Sequence, residues 1–198
     1  MKELRFPSKG IDVDPFPRLI WKYRYDFNKE ILLPKIRNLT NTVRLPSSLE
    51  SGNAESTVSI APQDQPHRWP ELNDFYQWLS SNLDEQWHHH DYTLQHQSIG
   101  QSWFNIHRRG GKTEEHYHSR VGLVATCYIN LPADSGFIEF RDPLEYAKTN
   151  SPQVPEENLW RSIPCQTNDV LIFPGYLRHR TQANNSDEDR IVYTINII

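Results

Sequence analysis

Two histidines, His116 and His118, stand two residues apart near the middle of the chain, in the stretch TEEHYHSRVG. On an extended strand this spacing turns both imidazoles to one face while Tyr117 points away, so two nitrogen donors can approach one ion. In a chain with nine histidines such a pair also arises by chance, and it becomes a metal site only if further donors converge on it. A third donor is available downstream. The run NDVLIFPGYLRHRTQANN reads as a strand, a tight turn at Pro174 and Gly175, and then His179 at the start of another strand. Three protein donors on one side of an octahedral ion leave positions open for a substrate, dioxygen or a co-substrate. Arg190 opens the last strand, RIVYTINII, where a guanidinium could form a bidentate pair with a small dicarboxylate, although an arginine at a strand start is more often solvated.

Bringing His179 to the pair requires a fold in which strands distant in sequence are neighbours. The second half of the chain supplies the strands as short β-like runs: SWFNIHR, GLVATCYINL, GFIEFR, LWRSIP, DVLIFP, HRTQA and RIVYTINII. That number of strands in about a hundred residues implies a sandwich or small barrel of the jelly-roll kind, a mainly β fold with helices before it. The stretch DPLEYAKTNSPQVPEEN interrupts the strands as a loop that could overhang one mouth. Upstream, WPELNDFYQWLSSNLDEQW places Leu72, Phe75, Trp78, Leu79 and Leu83 at helical spacing behind Pro70. In DFNKEILLPKIRNLTN, Ile31, Leu32, Ile36 and Leu39 form a possible stripe that Pro34 should break. Residues 40–67 read as a long loop. The expected organisation is a single domain, 1–198, with a helical and loop support region over 1–100 and the β core over 101–198.

With 198 residues, a formal charge of −4 and a sequence pI near 6.1, the chain lacks the basic surplus of a nucleic-acid binder. No apolar run is long enough to span a bilayer, and the first residues lack the apolar core of a secretory signal, so a soluble cytoplasmic protein is expected. Cys127 and Cys165 are far apart and read as buried free thiols.

The order HYH, then NDVLIFPGYLRH, then DRIVYTIN resembles the double-stranded β-helix of the 2-oxoglutarate- and Fe(II)-dependent oxygenases. The stretch from Trp103 to Pro143 is more narrowly similar to a little-characterised branch of that superfamily. That branch has a His-x-His motif, a tyrosine twelve residues after the first histidine, here Tyr128, and a Gly-x-x-x-Phe-x-Asp-Pro strand end. The resemblance covers about 102–198. It implies that His116 and His179 ligate iron, that Arg190 holds the far carboxylate of 2-oxoglutarate, and that Tyr128 and Asn105 are candidates to complete the co-substrate site. It also implies decarboxylation of 2-oxoglutarate to succinate coupled to hydroxylation of a substrate C–H bond.

His118 stands where the family usually has a carboxylate, so either a three-histidine site forms or a water or outside carboxylate completes the shell. Val192 departs too, at a position where many relatives carry a hydroxyl. Two other readings stay open: a cupin-type three-histidine dioxygenase that does not use 2-oxoglutarate, and a non-catalytic jelly-roll module with structural or zinc-binding histidines. An aromatic-lined pocket would suit a small molecule or a peptide side chain, and the aromatic N-terminal segment could supply a homodimer contact. The remaining histidines read as bland: His88 to His90 as a solvated helix end, and His67 and His96 as surface or packing residues; His107 shares a strand face with Trp103 and Asn105, so it could line the cavity, although packing is the commoner role.

Overall fold

The computed structural model describes residues 19–42, 49–90, 92, 97–145, 148 and 155–198. Its strands are β1 (Trp21–Arg24), β2 (Glu50–Ser51), β3 (Ala54–Ser56), β4 (Ile99–His107), β5 (Lys112–Thr113), β6 (Leu123–Asn130), β7 (Ile138–Arg141), β8 (Trp160–Ile163), β9 (Asp169–Pro174), β10 (His179–Thr181) and β11 (Arg190–Ile197). Two helices, α1 (Lys29–Thr42) and α2 (Asn73–His89), precede most of them. One sheet has six strands in the order β1-β9-β6-β11-β4-β3, another three in the order β10-β7-β8, and β2 pairs with β5 in a two-stranded strap. All these pairings are antiparallel. The fold is mainly β, a double-stranded β-helix, as the strand pattern predicts.

Alternation along the central strands divides the molecule into two environments. On β11, Ile191, Tyr193, Ile195 and Ile197 enter the core beneath the helices, while Arg190, Val192, Thr194 and Asn196 line a cavity on the other face. Neighbouring β6 repeats the division, with Leu123, Ala125, Cys127 and Ile129 toward the helices and Thr126 and Tyr128 toward the cavity. The period of two along each strand thus selects which side chains line the cavity. Phe75, Leu79, Leu83 and Trp87 form the apolar stripe of α2 and, with Leu72 just before the helix, pack on this sheet, and Tyr76 exchanges a hydroxyl hydrogen bond with Tyr193.

Three local expectations change. Pro34 does not break its helix; α1 runs through it and buries Leu32 and Ile36 against the core, and this burial offsets the one backbone bond that proline cannot donate. Residues 40–67 are not simply a loop, because β2 and β3 lie there and β3 adds an edge to the large sheet through Ala54↔His107 and Ser56↔Asn105. Their two- and three-residue lengths are too short to carry a detectable alternation. β1 pairs with β9 as the other edge of the large sheet. Cys127 is buried and free, whereas Cys165 is free but only half-buried.

Candidate functional site

A cavity of about 510 Å³ lies between the two sheets, and all six residues singled out from the sequence, Asn105, His116, His118, Tyr128, His179 and Arg190, line it. His116 and His179 face each other across an isolated antiparallel bridge, with a backbone N–H of each donating to the carbonyl of the other at 2.9 Å. This bridge joins the His-x-His segment to β10. Gly175 lets the turn after β9 close on the same segment: its carbonyl accepts from the His118 N–H at 2.8 Å, and a Cβ there would stand 2.4 Å from the Val121 oxygen.

The three imidazoles are oriented by the same device. The Nδ1–H of His116 donates to the Glu114 carbonyl at 2.8 Å, that of His179 to the Leu177 carbonyl at 2.8 Å, and that of His118 to Asn196 Oδ1 at 2.7 Å. With Nδ1 committed as donor, each ring presents Nε2 with its lone pair free for a metal. One potential ligand atom from each histidine lies within 4.8 Å of the others. The His118 Nε2 is buried without a hydrogen-bond partner, an expensive state for a polar atom unless it has a ligand. Burial lowers the pKa of all three, that of His118 to about 4, and each of His118 and His179 is further lowered by neighbouring imidazole charge. The rings are therefore neutral at pH 7 and ready to act as ligands. Trp103 stacks on His118 at 5.9 Å between centroids, and Phe173 meets His179 edge-on at 4.9 Å.

Arg190 is 1% exposed, so its guanidinium is buried and not solvated at the strand start. Desolvation pulls its pKa down to about 10, and it still carries its charge at neutral pH. Its donors reach the Ser135 carbonyl, Thr181 Oγ1 and the Gln182 carbonyl, the last two at 2.9 Å, and Nε donates to His107 Nδ1 at 3.3 Å. No carboxylate contacts it directly among the described residues. Tyr128 lies on the adjoining strand, and burial drives its hydroxyl pKa well up, so it remains a neutral phenol. Asn105 accepts a hydrogen bond from Ser56 Oγ at 2.7 Å.

Of the two roles open to His107, cavity lining and packing, the structure shows the first. Its ring hydrogen-bonds Glu50 and Thr113, each at 2.8 Å, as well as Arg190. His67 is half-buried and touches Ser102 Oγ at 3.1 Å, while His88 and His89 end α2 exposed. His90, half-buried, stacks on Tyr92. His96 lies outside the described residues.

Sequence reasoning missed Glu50, Thr113, Thr181 and Asn196. Asn196 was accessible in principle, because it continues the Arg190, Val192, Thr194 alternation. Glu50 had no sequence signal, as its two-residue strand carries no periodicity.

Residues 101–196 match the family described as "Putative 2OG-Fe(II) oxygenase". No curated protein matches the chain. Among solved structures, the viral collagen prolyl hydroxylase vCPH from Paramecium Bursaria Chlorella virus-1, as its 2OG complex, is 12% identical with a TM-score of 0.59, covering 91% of this chain and 96% of that one. A Pseudomonas putida prolyl-4-hydroxylase is 9% identical with a TM-score of 0.60, covering 90% and 91%. HygX from Streptomyces hygroscopicus, with nickel, 2-oxoglutarate and hygromycin B bound, is 10% identical with a TM-score of 0.55, covering 90% and 82%. At these identities the likeness is one of fold.

Proposed function

We propose, from the premise that this chain belongs through residues 101–196 to the 2OG-Fe(II) oxygenases, that His116, His118 and His179 hold Fe(II) and that Arg190 binds the far carboxylate of 2-oxoglutarate. The chain is an Fe(II)- and 2-oxoglutarate-dependent oxygenase of the hydroxylase class. The observation that supports these residue roles is the convergence of three neutral imidazoles, each anchored through Nδ1, beside a buried guanidinium with no carboxylate in contact among the described residues.

The donor set fits the metal. Imidazole nitrogen suits iron, and the buried, unpartnered Nε2 of His118 gains a partner when iron binds. His118 thus takes the position of the usual carboxylate as a third neutral donor, steadied by Asn196. When bound, iron with 2-oxoglutarate and dioxygen supplies the oxidising power for hydroxylation, with succinate and carbon dioxide as co-products.

The chain contributes binding, orientation and exclusion of water. Arg190 and the neutral Tyr128 phenol supply N–H and O–H donors for the co-substrate carboxylate, and Asn105 flanks them. Four N–H donors of Arg190 are already engaged, so the guanidinium grips through its remaining Nη1 donor, not through an open fork. Trp103 and Phe173 wall the histidines with apolar surface and keep the metal region dry.

The substrate is a small molecule or a peptide side chain, on the strength of the cavity's size and its mixed aromatic and polar lining. The chain works as one unit, since β1 and β3 from the first hundred residues complete the large sheet. A cytoplasmic location suits its two free cysteines, and the absence of a basic surplus argues against nucleic acid as a partner. A homodimer through the aromatic N-terminal segment belongs to the same proposal.

The test is iron content and 2-oxoglutarate turnover in His116→Ala, His118→Ala, His179→Ala and Arg190→Met. The three alanine variants should lose stoichiometric iron, while Arg190→Met should keep iron and lose turnover. Stoichiometric iron in any alanine variant would remove that residue from the ligand set.

A further inference from the structure

The cavity contains a second charged group that the metal does not use. Glu50 reaches it from the strap formed by β2 and β5, and its side chain is only 4% exposed. Its carboxylate accepts from His107 Nε2–H at 2.8 Å and from Thr113 Oγ1–H at 3.0 Å. Glu50 and Arg190 are thus a buried carboxylate and a buried guanidinium lining one cavity, yet they do not touch.

His107 stands between them. Because a guanidinium can only donate, Arg190 Nε–H fixes Nδ1 of His107 as an acceptor, which puts the ring proton on Nε2, facing Glu50. Burial lowers the His107 pKa, so the ring is a neutral bridge. The arrangement closes on itself through the strap: the Thr113 N–H donates to Thr181 Oγ1 at 2.9 Å, and Thr181 Oγ1 accepts from Arg190 at 2.9 Å. Arg190, His107, Glu50, Thr113 and Thr181 form a hydrogen-bonded ring, and its two threonines lie three residues before His116 and two after His179.

Buried opposite charges ordinarily pair directly, since mutual attraction offsets part of their desolvation. A direct Glu50–Arg190 pair would neutralise the guanidinium charge and draw it away from the position in which its remaining Nη1 donor is open to an external carboxylate.

We propose that His107 is a positioning residue for the co-substrate: a neutral spacer that stops Glu50 from capturing Arg190 and leaves the guanidinium charge, with its remaining Nη1 donor, to the carboxylate of 2-oxoglutarate. This rests on the assignment of Arg190 above. The family resemblance gives no reason for a histidine at this position; the reason lies in the carboxylate that the strap delivers behind it.

The experiment is calorimetric titration of 2-oxoglutarate into the zinc-loaded full chain, which is redox-silent and separates binding from turnover. The set is wild type, His107→Ala, Glu50→Gln and the double variant, each checked for zinc content and thermal unfolding. His107→Ala should weaken 2-oxoglutarate binding by about tenfold or more, as Glu50 takes the guanidinium. Glu50→Gln should bind as tightly as wild type or tighter. The double variant should recover to within a few-fold of Glu50→Gln, because the competing carboxylate is gone.

Recovery in the double variant is what a merely structural role does not give, since damage to the fold would persist or add. Wild-type affinity in His107→Ala, or a double variant as weak as the single, would overturn the spacer role while leaving Arg190 as the binding residue. No binding by wild type would overturn the Arg190 assignment and the spacer with it. If His107→Ala does not fold, His107→Ser opens the same gap at lower cost in buried polarity and carries the same expectations.

Discussion

Replacing Asn196 with leucine isolates His118 from the other two histidines of the proposed metal site. Asn196 Oδ1 is the acceptor for His118 Nδ1–H at 2.7 Å, and the ring is otherwise held by stacking on Trp103. Leucine has similar bulk and no acceptor. The His118 N–H is then left in a buried site without a partner, at a cost of about 1–3 kcal/mol. The ring can escape this only by turning or by moving its proton to Nε2, and either change withdraws the lone pair from the metal. Loss of an outer partner of this kind weakens metal binding by about 10–100-fold, which corresponds to roughly 1.4–2.8 kcal/mol and agrees with the hydrogen-bond cost. The assay is competition for zinc or cobalt against a chelator of known affinity, with thermal unfolding of the apoprotein as control. Asn196→Asp, which keeps an acceptor and adds charge, should bind metal at least as tightly as wild type. Unchanged affinity in a folded Asn196→Leu protein would refute the claim that Asn196 prepares His118 as a ligand.

Further expectations address the metal, the arginine loop and the core. Saturating metal, at about a hundredfold above its Kd, should stabilise the fold by roughly 2.7 kcal/mol, and His179→Ala should abolish the corresponding rise in Tm. Gly136 has φ +74°, and a Cβ there would stand 2.8 Å from the Ala183 oxygen and 3.3 Å from Arg190 Nη1. Gly136→Ala should therefore cost about 1–2 kcal/mol of stability in denaturant unfolding and weaken 2-oxoglutarate binding in calorimetry, with metal affinity retained. Phe75 is 1% exposed in the core beneath α2, away from the cavity. Phe75→Ala should cost about 3–5 kcal/mol in denaturant unfolding but leave metal affinity per folded molecule unchanged.

The parts of the site legible in the sequence are those carried by long strands. His116 and His118 could be placed on one face because a pleat repeats every two residues, and Arg190 was visible at the start of an eight-residue strand whose alternation continues to Asn196. The helix over 73–89 was legible from its apolar spacing. What escaped lies in short elements. Glu50 belongs to a two-residue strand whose position is set by pairing with Lys112 and Thr113, a contact across some sixty residues that no local pattern encodes. The role of His107 escaped for the same reason: its strand face was legible, but Glu50 behind it was not. Pro34 misled because helix propensity is a local preference, and burial of Leu32 and Ile36 overrides it.

The central claim is tested most directly by anaerobic titration of Fe(II) into the apoprotein with and without 2-oxoglutarate, following the weak visible charge-transfer band of the chelated complex. The account predicts a band that requires both components, is lost in Arg190→Met, and is lost in His179→Ala through loss of iron. Iron binding with no band in the presence of 2-oxoglutarate would contradict the account, and so would a protein that binds no iron.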